Sequence, residues 1–205
     1  MRALPTLASL AALAFAAVAQ AHPLVDKIVQ QLEASPASCT AVPDSNPERQ
    51  LIEADIARFV RQAPVPEGVT FQVLDCADDG FVHQGNAIVI STRLSRLPPA
   101  QRYFILAHEL GHVHLQHHAA TSKFVAQAVR SARDERSARA KVQSGLAGMS
   151  HQAELDADAF AVRLMRETGV DAEQAARLFE SIGEGKDNAT HPSPGRRARA
   201  IRSRL

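Results

Sequence analysis

The segment His108–His112, which reads His-Glu-Leu-Gly-His, constrains this chain more than any other feature of its sequence. Residues four apart lie on the same face of a helix, so the imidazoles of His108 and His112 can reach one metal ion together. Glu109, beside the first histidine, is placed to take a proton from water held by that ion. The segment therefore predicts a helix that carries part of a zinc hydrolase centre.

A catalytic zinc ion needs a third protein ligand and an open fourth position. His118 has the spacing of an extended motif in which a glycine breaks the helix, but Leu115 stands at that glycine position. We therefore expect His117 and His118 to continue the helix and to point elsewhere. Glu154, which lies in a run of good helix formers, is the favoured third ligand.

A second carboxylate follows Glu154 one helical turn later. Asp158 shares its face, and Ser150 has the side chain of an N-cap for this predicted helix. The pair suits a metal ligand followed by an orienting group, because Asp158 could accept a histidine N–H and fix the tautomer of that ring. The alternative is an amphipathic helix with its acids in solvent, and Asp156, on roughly the opposite side, fits that description.

Three motifs in this order resemble the CaaX prenyl protease/HtpX/Oma1-like family of gluzincin zinc metalloendopeptidases. They are His108–His112, the Glu154-x-x-Ala157-Asp158 segment and Thr190–Pro194, which reads Thr-His-Pro-Ser-Pro. The resemblance covers about residues 50–200. It implies an α+β, zincin-like metalloprotease domain that is mostly helical, with a small β-sheet beside the active-site helix.

The resemblance also implies roles for individual residues. One Zn²⁺ per chain would be bound by His108, His112 and Glu154, with Glu109 as the general base. Asp158 would support the site. His191 would lie close to it as a second catalytic residue, able to donate to a developing oxyanion or to occupy the water position in a resting form. The alternative for His191 is a structural hydrogen bond at a helix entry.

The N-terminus has the pattern of a secretory signal peptide. Arg2 precedes an apolar run over Leu7–Val18, and Ala19-Gln20-Ala21 gives a small-x-small cleavage site. We expect cleavage after Ala21, export to the periplasm and a single zinc metalloprotease domain over residues 22–205. The apolar run is short for a membrane span, and the mature sequence suggests none. An uncleaved anchor helix is the alternative.

Cys39 and Cys76 are the only cysteines in the chain. An exported protein meets an oxidising compartment, so we expect a disulfide that stabilises the fold by roughly 3–4 kcal/mol; two buried thiols are the alternative.

Loss of Arg2 with the signal peptide leaves 22 basic and 22 acidic residues. This neutral balance argues against a nucleic-acid partner, and we expect a monomer.

Local patterns predict the main elements. Apolar residues recur at helical spacing over Pro47–Gln62, while Val69–Leu74 and Ile88–Thr92 have the composition and alternation of strands. A substrate segment is expected to add as a further strand alongside Ile88–Thr92. Five other histidines are expected to be on the surface or hydrogen-bonded within the fold: His83, His114, His117, His118 and His151.

Together these features predict a zinc metalloendopeptidase that hydrolyses unfolded or misassembled cell-envelope proteins. Two other classes of protein remain open. One is a catalytically silent, zinc-binding, chaperone-like periplasmic module, and the other is an exported histidine-rich metal buffer.

Overall fold

The computed structural model describes residues 22–205, so the predicted signal peptide lies outside the described residues. The described part of the chain is mostly helical and carries one small sheet. Its α-helices are α1 (Pro23–Leu32), α2 (Pro47–Gln62), α3 (Pro99–His114), α4 (His117–Arg130), α5 (Glu135–Glu167), α6 (Glu173–Ile182) and α7 (Pro194–Arg202). Its strands are β1 (Thr70–Leu74), β2 (Gly80–His83) and β3 (Ala87–Ser91), and short 3-10 helices cover Pro36–Ser38 and Thr92–Arg96.

Helix α2 has the bounds that the apolar periodicity predicts. It begins with Pro47 in its first turn, and the side chain of Asn46 accepts a hydrogen bond from the backbone N–H of Arg49 at 2.9 Å. Ile52 and Phe59 point into the core. The N-cap and the apolar face therefore indicate the same helix, and α2 forms where the local sequence predicts it.

The sheet has the strand order β1-β3-β2. Strand β3 is central, because it pairs in parallel with β1 and antiparallel with β2. Its run of Ile88, Val89 and Ile90 is fully buried, as expected for a strand covered on both faces. Strand β2 is therefore an edge strand, and it lies beside α3.

Helix α3 runs through the centre of the main core. Its apolar side chains Phe104, Leu106 and Leu110 are buried among residues of the sheet, α5 and α6. His108 and Glu109 are also buried, so the charged motif predicted from the sequence sits inside the protein. Polar groups at such a depth require partners or a ligand.

The prediction that His117 and His118 continue the active-site helix is wrong. Helix α3 ends at His114, and Gln116 adopts a left-handed conformation with φ 55° and ψ 39°. Helix α4 then starts at His117. The turn occurs without the glycine that usually supplies a positive φ, which is why the sequence did not reveal it.

The predicted N-cap at Ser150 is also wrong, because Ser150 lies inside α5. That helix begins much earlier, at a capping box in which the side chain of Asp134 accepts from the N–H of Ser137 at 2.7 Å and the hydroxyl of Ser137 accepts from the N–H of Asp134 at 3.1 Å. The helix continues through Gly145 and Gly148 to Glu167. Glu154 and Asp158 consequently share one long, continuous helix.

Helices α3 and α5 approach closely at Gly111. A Cβ atom at this position would lie 3.2 Å from both the Cα and the carbonyl oxygen of Ala157 and 3.1 Å from the ring of Phe160. Only a glycine on one helix facing a small residue on the other allows this separation. The contact places the histidine face of α3 against the carboxylate face of α5.

A second, smaller cluster of apolar residues holds α1 against α4 and the start of α5, with Ile28, Val29, Val125 and Val142 buried in it. The loop that follows α1 is linked to the segment after β1 by a disulfide between Cys39 and Cys76. The expected disulfide is therefore present, and the alternative of two buried thiols is wrong.

The expected architecture is confirmed: the described residues form a mostly helical α+β domain with a three-stranded sheet beside α3. Among residues 22–205, no helix combines the length and the apolar character that a membrane crossing requires.

The α3–α5 contact predicts whether a substitution at Gly111 stabilises or destabilises the protein. Alanine favours helices over glycine by about 1 kcal/mol, but Gly111→Ala should lower the free energy of unfolding by about 1–3 kcal/mol, because the added methyl group meets backbone. Gly148→Ala is the matched control, since nothing lies within 4 Å of a Cβ there, and it should be stabilising. Chemical denaturation measures both. Equal stabilisation by the two variants would contradict this view of the contact.

Candidate metal centre

Three side chains converge in the way that a metal ion requires. His108, His112 and Glu154 each offer one ligand atom, and these atoms all lie within 4.8 Å of one another. The Nε2 atoms of the two histidines are 3.1 Å apart, and the Nε2 of His112 lies 3.3 Å from Oε1 of Glu154. The structure thus brings together the three residues that the sequence predicts as ligands, from helices α3 and α5.

The surroundings of Glu154 fit a bound cation. Its Oε2 is buried and has no hydrogen-bond partner. Nη1 of Arg197 lies 3.2 Å away, within ion-pair distance but without the alignment of a hydrogen bond. A buried carboxylate oxygen left in this state is costly in a folded protein. Two neutral imidazoles and one carboxylate are a donor set that catalytic zinc accepts, and the residues present therefore fit the ion.

Asp158 lies against the first histidine. Its Oδ1 lies 2.9 Å from Nδ1 of His108, on the opposite side of the ring from the metal-facing Nε2. A ligating histidine usually donates its second ring N–H to an acceptor of this kind, which fixes the ring and its tautomer. The structure places Asp158 where the sequence predicts an orienting group.

The sequence did not assign a role to Arg197, although it is a central residue of the site. It donates to both oxygens of Asp158, from Nε at 2.8 Å and from Nη2 at 2.6 Å, and its guanidinium lies 4.2 Å from the ring centre of Phe179. Arg197 supplies the positive charge that the two buried carboxylates need. The sequence contains one signal of such a partner. Asp158 shares the helix face of the predicted ligand Glu154, and an acid buried there needs a positively charged neighbour.

The charges of this cluster shift the pKa values of its members. Burial opposes ionisation of Asp158, but the charge and hydrogen bonds of Arg197, together with the hydrogen bond to His108, lower its pKa. Burial likewise disfavours the charged form of His108, yet the hydrogen bond to Asp158 and the nearby negative charge of Glu154 raise its pKa to about 10. For Glu154 the opposing effect of burial is overcome by the two histidines and Arg197, so its pKa lies well below the ordinary value.

Glu109 lies beside the ligands and is buried. Burial raises its pKa, and the nearby histidines only partly offset that effect. Gly80, the first residue of β2, makes room for this side chain, because a Cβ there would lie 3.1 Å from both Cγ and Oε1 of Glu109. A glutamate with a raised pKa suits a general base near neutral pH.

His191 reaches the rim of the same cluster. Its Nε2 lies 3.7 Å from Oε1 of Glu154, and about half of its side chain is exposed. On the other side of the ring, Nδ1 lies 2.8 Å from the hydroxyl of Thr190, and the backbone N–H of His191 donates to Asn188. The structure therefore brings His191 next to the predicted ligands and also shows the local hydrogen bonds of the structural alternative.

One of the histidines expected to be unrelated to the site, His117, lies against a predicted ligand. Nδ1 of His117 is 2.9 Å from Nδ1 of His112, and burial, with the neighbouring His112, lowers the pKa of His117 to about 4. His118 turns away and contacts the carboxylate of Glu33 at the end of α1. His118 is thus not among the grouped ligands, which agrees with the choice of Glu154.

The centre opens into a cleft of about 980 Å³. Residues of β2, namely Gly80, Phe81 and Val82, line one side, and the end of α1 lines another at Leu32 and Glu33. The cleft is large enough to admit a segment of polypeptide, and its polar groups converge at the metal centre.

Comparison with known proteins gives one finding. A model of the family described as peptidase family M48 matches residues 46–205, which is more than half of the chain. No curated protein matched the chain.

The ligand set predicts how metal affinity responds to two substitutions. Glu154→Ala removes a ligand and should weaken zinc binding by more than about 100-fold, beyond the loss typical of outer-shell partners. His118→Ala should leave the affinity unchanged, because this side chain binds Glu33 instead. Competition with a chromophoric chelator measures both. Loss of zinc on His118→Ala, with retention on Glu154→Ala, would move the third ligand to His118.

The raised pKa of His108 predicts proton release when metal binds. In the metal-free protein at pH 8, below the folded pKa of about 10, His108 carries a proton that a metal must displace. Asp158→Asn removes a hydrogen bond that raises this pKa, so the variant should release fewer protons at pH 8. Calorimetry in buffers of different ionisation enthalpy counts them. Equal counts for the two proteins would show that Asp158 does not hold His108 protonated.

Proposed function

This chain belongs to peptidase family M48, and we propose that it is a zinc-dependent endopeptidase that degrades unfolded or misassembled proteins of the cell envelope. The family contains CaaX prenyl protease/HtpX/Oma1-like metallopeptidases, so the resemblance seen in the three sequence motifs is confirmed. Family membership implies polypeptide substrates. The observation that carries the proposal is the convergence of two imidazoles and one carboxylate beside the buried side chain of Glu109.

The chemistry follows from the positions of these side chains. A zinc ion held by the three ligands would polarise the scissile carbonyl and lower the pKa of a bound water to about 7. Glu109 takes the proton from the water and passes it to the leaving nitrogen. Asp158 keeps His108 in the correct tautomer. His191, at the rim beside Glu154, donates to the oxyanion as it develops.

The substrate segment is proposed to pair with β2. The expectation that it would lie alongside Ile88–Thr92 is wrong, because β3 already has a strand on each side. Strand β2 pairs with β3 through one edge only, and its residues line the cleft next to Glu109. Pairing of this kind recognises the main chain of the substrate more than its side chains, which suits substrates that have lost their folded structure.

The compartment and the domain organisation are also proposals. We infer that residues 1–21 are removed as a signal peptide, and that residues 22–205 act in the periplasm as one monomeric domain. Support comes from the Cys39–Cys76 disulfide, since such bonds persist in oxidising compartments. The mature chain would also be close to neutral in charge, which gives no basis for nucleic-acid binding.

Replacement of Glu109 separates catalysis from metal binding. Glu109→Gln keeps the size of the side chain but removes the proton acceptor, so cleavage of an unfolded protein such as casein should fall by about 10²- to 10⁴-fold. Zinc content and thermal stability should stay close to those of the wild type. Rates of cleavage, followed by the appearance of new N-termini, measure the effect.

Asp156→Asn is the matched control, because Asp156 is a carboxylate of the same cleft that hydrogen-bonds to Gln152 rather than facing the ligands. It should retain nearly full activity. Unchanged cleavage by Glu109→Gln would remove Glu109 from its role as the base. A wild-type protein that binds zinc and unfolded chains without cleaving them would favour the chaperone-like alternative.

A further inference from the structure

Both metal-facing histidines are held through their second ring nitrogen, but by different kinds of partner. Nδ1 of His108 faces the carboxylate of Asp158 at 2.9 Å. Nδ1 of His112 faces Nδ1 of His117, also at 2.9 Å. Within residues 22–205, the hydrogen bonds give Nδ1 of His112 no other partner. The second ligand is therefore oriented by another imidazole.

The geometry of this pair is that of one ring donating to the other. The ring centres of His112 and His117 are 4.8 Å apart, and their planes are inclined by 76°. At the same time Nε2 of His112 points at Glu154 and His108. A neutral imidazole has one N–H and one lone pair, so a proton on Nδ1 of His112 leaves its Nε2 free to bind metal. His117 must then accept at Nδ1 and carry its own proton on Nε2.

The chain reaches this arrangement only because α3 stops. In a continuous helix, a residue five positions after His112 would lie roughly 140° around the helix axis. The left-handed conformation of Gln116 ends α3 and starts α4 at His117, which turns that side chain back onto His112. The next residue, His118, points away from His112 and contacts Glu33 instead.

We propose that His117 is a positioning residue for the metal centre: its Nδ1 accepts the Nδ1–H of His112 and thereby aims the lone pair of His112 at the ion. This inference rests on the metal centre described under the proposed function. His117 is not one of the three residues grouped as ligands. It acts through His112, as Asp158 acts through His108.

The proposal predicts a graded effect on metal affinity. His117→Leu removes the acceptor and keeps a side chain of similar bulk, so zinc binding should weaken by about 10- to 100-fold, the usual loss when the partner of a ligating histidine is removed. His117→Asn places an amide oxygen close to the position of Nδ1, so it should restore most of the affinity. Competition with a chelator measures affinity without requiring any peptidase activity.

His118→Leu is the control for loss of a neighbouring imidazole and should leave the affinity at the wild-type value. Equal affinity of His117→Leu and the wild type would overturn the inference, as would equal weakening by Leu and Asn. If the wild type itself bound no zinc, the proposed function would fail, which is a separate result.

A second measurement needs no substitution and decides the matter if His117→Leu fails to fold. In the zinc-loaded, ¹⁵N-labelled wild type, His112 should carry its proton on Nδ1, and a scalar coupling across the N–H···N hydrogen bond should connect it to Nδ1 of His117. A proton on Nε2 of His112, or a proton on Nδ1 of His117, would overturn the proposal.

Discussion

The close packing of α3 against α5 at Gly111 and Ala157 is the contact on which the rest of the site depends. Both helices carry their functional groups at a four-residue spacing, and neither can assemble a metal centre alone. Because the two backbones nearly touch, the imidazoles of one helix meet the carboxylates of the other. This arrangement buries ionisable groups, and Arg197 from α7 compensates by pairing with Asp158 and lying beside Glu154.

Much of the site could be predicted because its chemistry is local in the sequence. The spacing of His108 and His112 places both rings on one helical face, and Glu154 and Asp158 follow the same rule. Helix α2 begins and ends where its apolar periodicity predicts, and strands β1 and β3 agree with their predictions to within one residue at each end. Short-range geometry is enough for these features, since it does not depend on the rest of the fold.

What the sequence did not predict depends on contacts between distant segments. No glycine or proline marks the break at Gln116, and a helix through His117 was the natural expectation. Arg197 lies 39 residues from Asp158 and 89 residues from His108 in the chain, so only the packing of α7 reveals its role. The position of β2 at an edge of the sheet follows from the strand order, which alternation within a strand does not determine.

The central claim is that one zinc ion binds between α3 and α5, held by two histidines and one glutamate. A crystal of the mature protein grown with zinc, with diffraction data collected on both sides of the zinc absorption edge, tests this claim most directly. The account predicts one strong anomalous peak within about 2.0–2.2 Å of Nε2 of His108, Nε2 of His112 and a carboxylate oxygen of Glu154. A peak bound by other residues, or no peak between these three side chains, would contradict it.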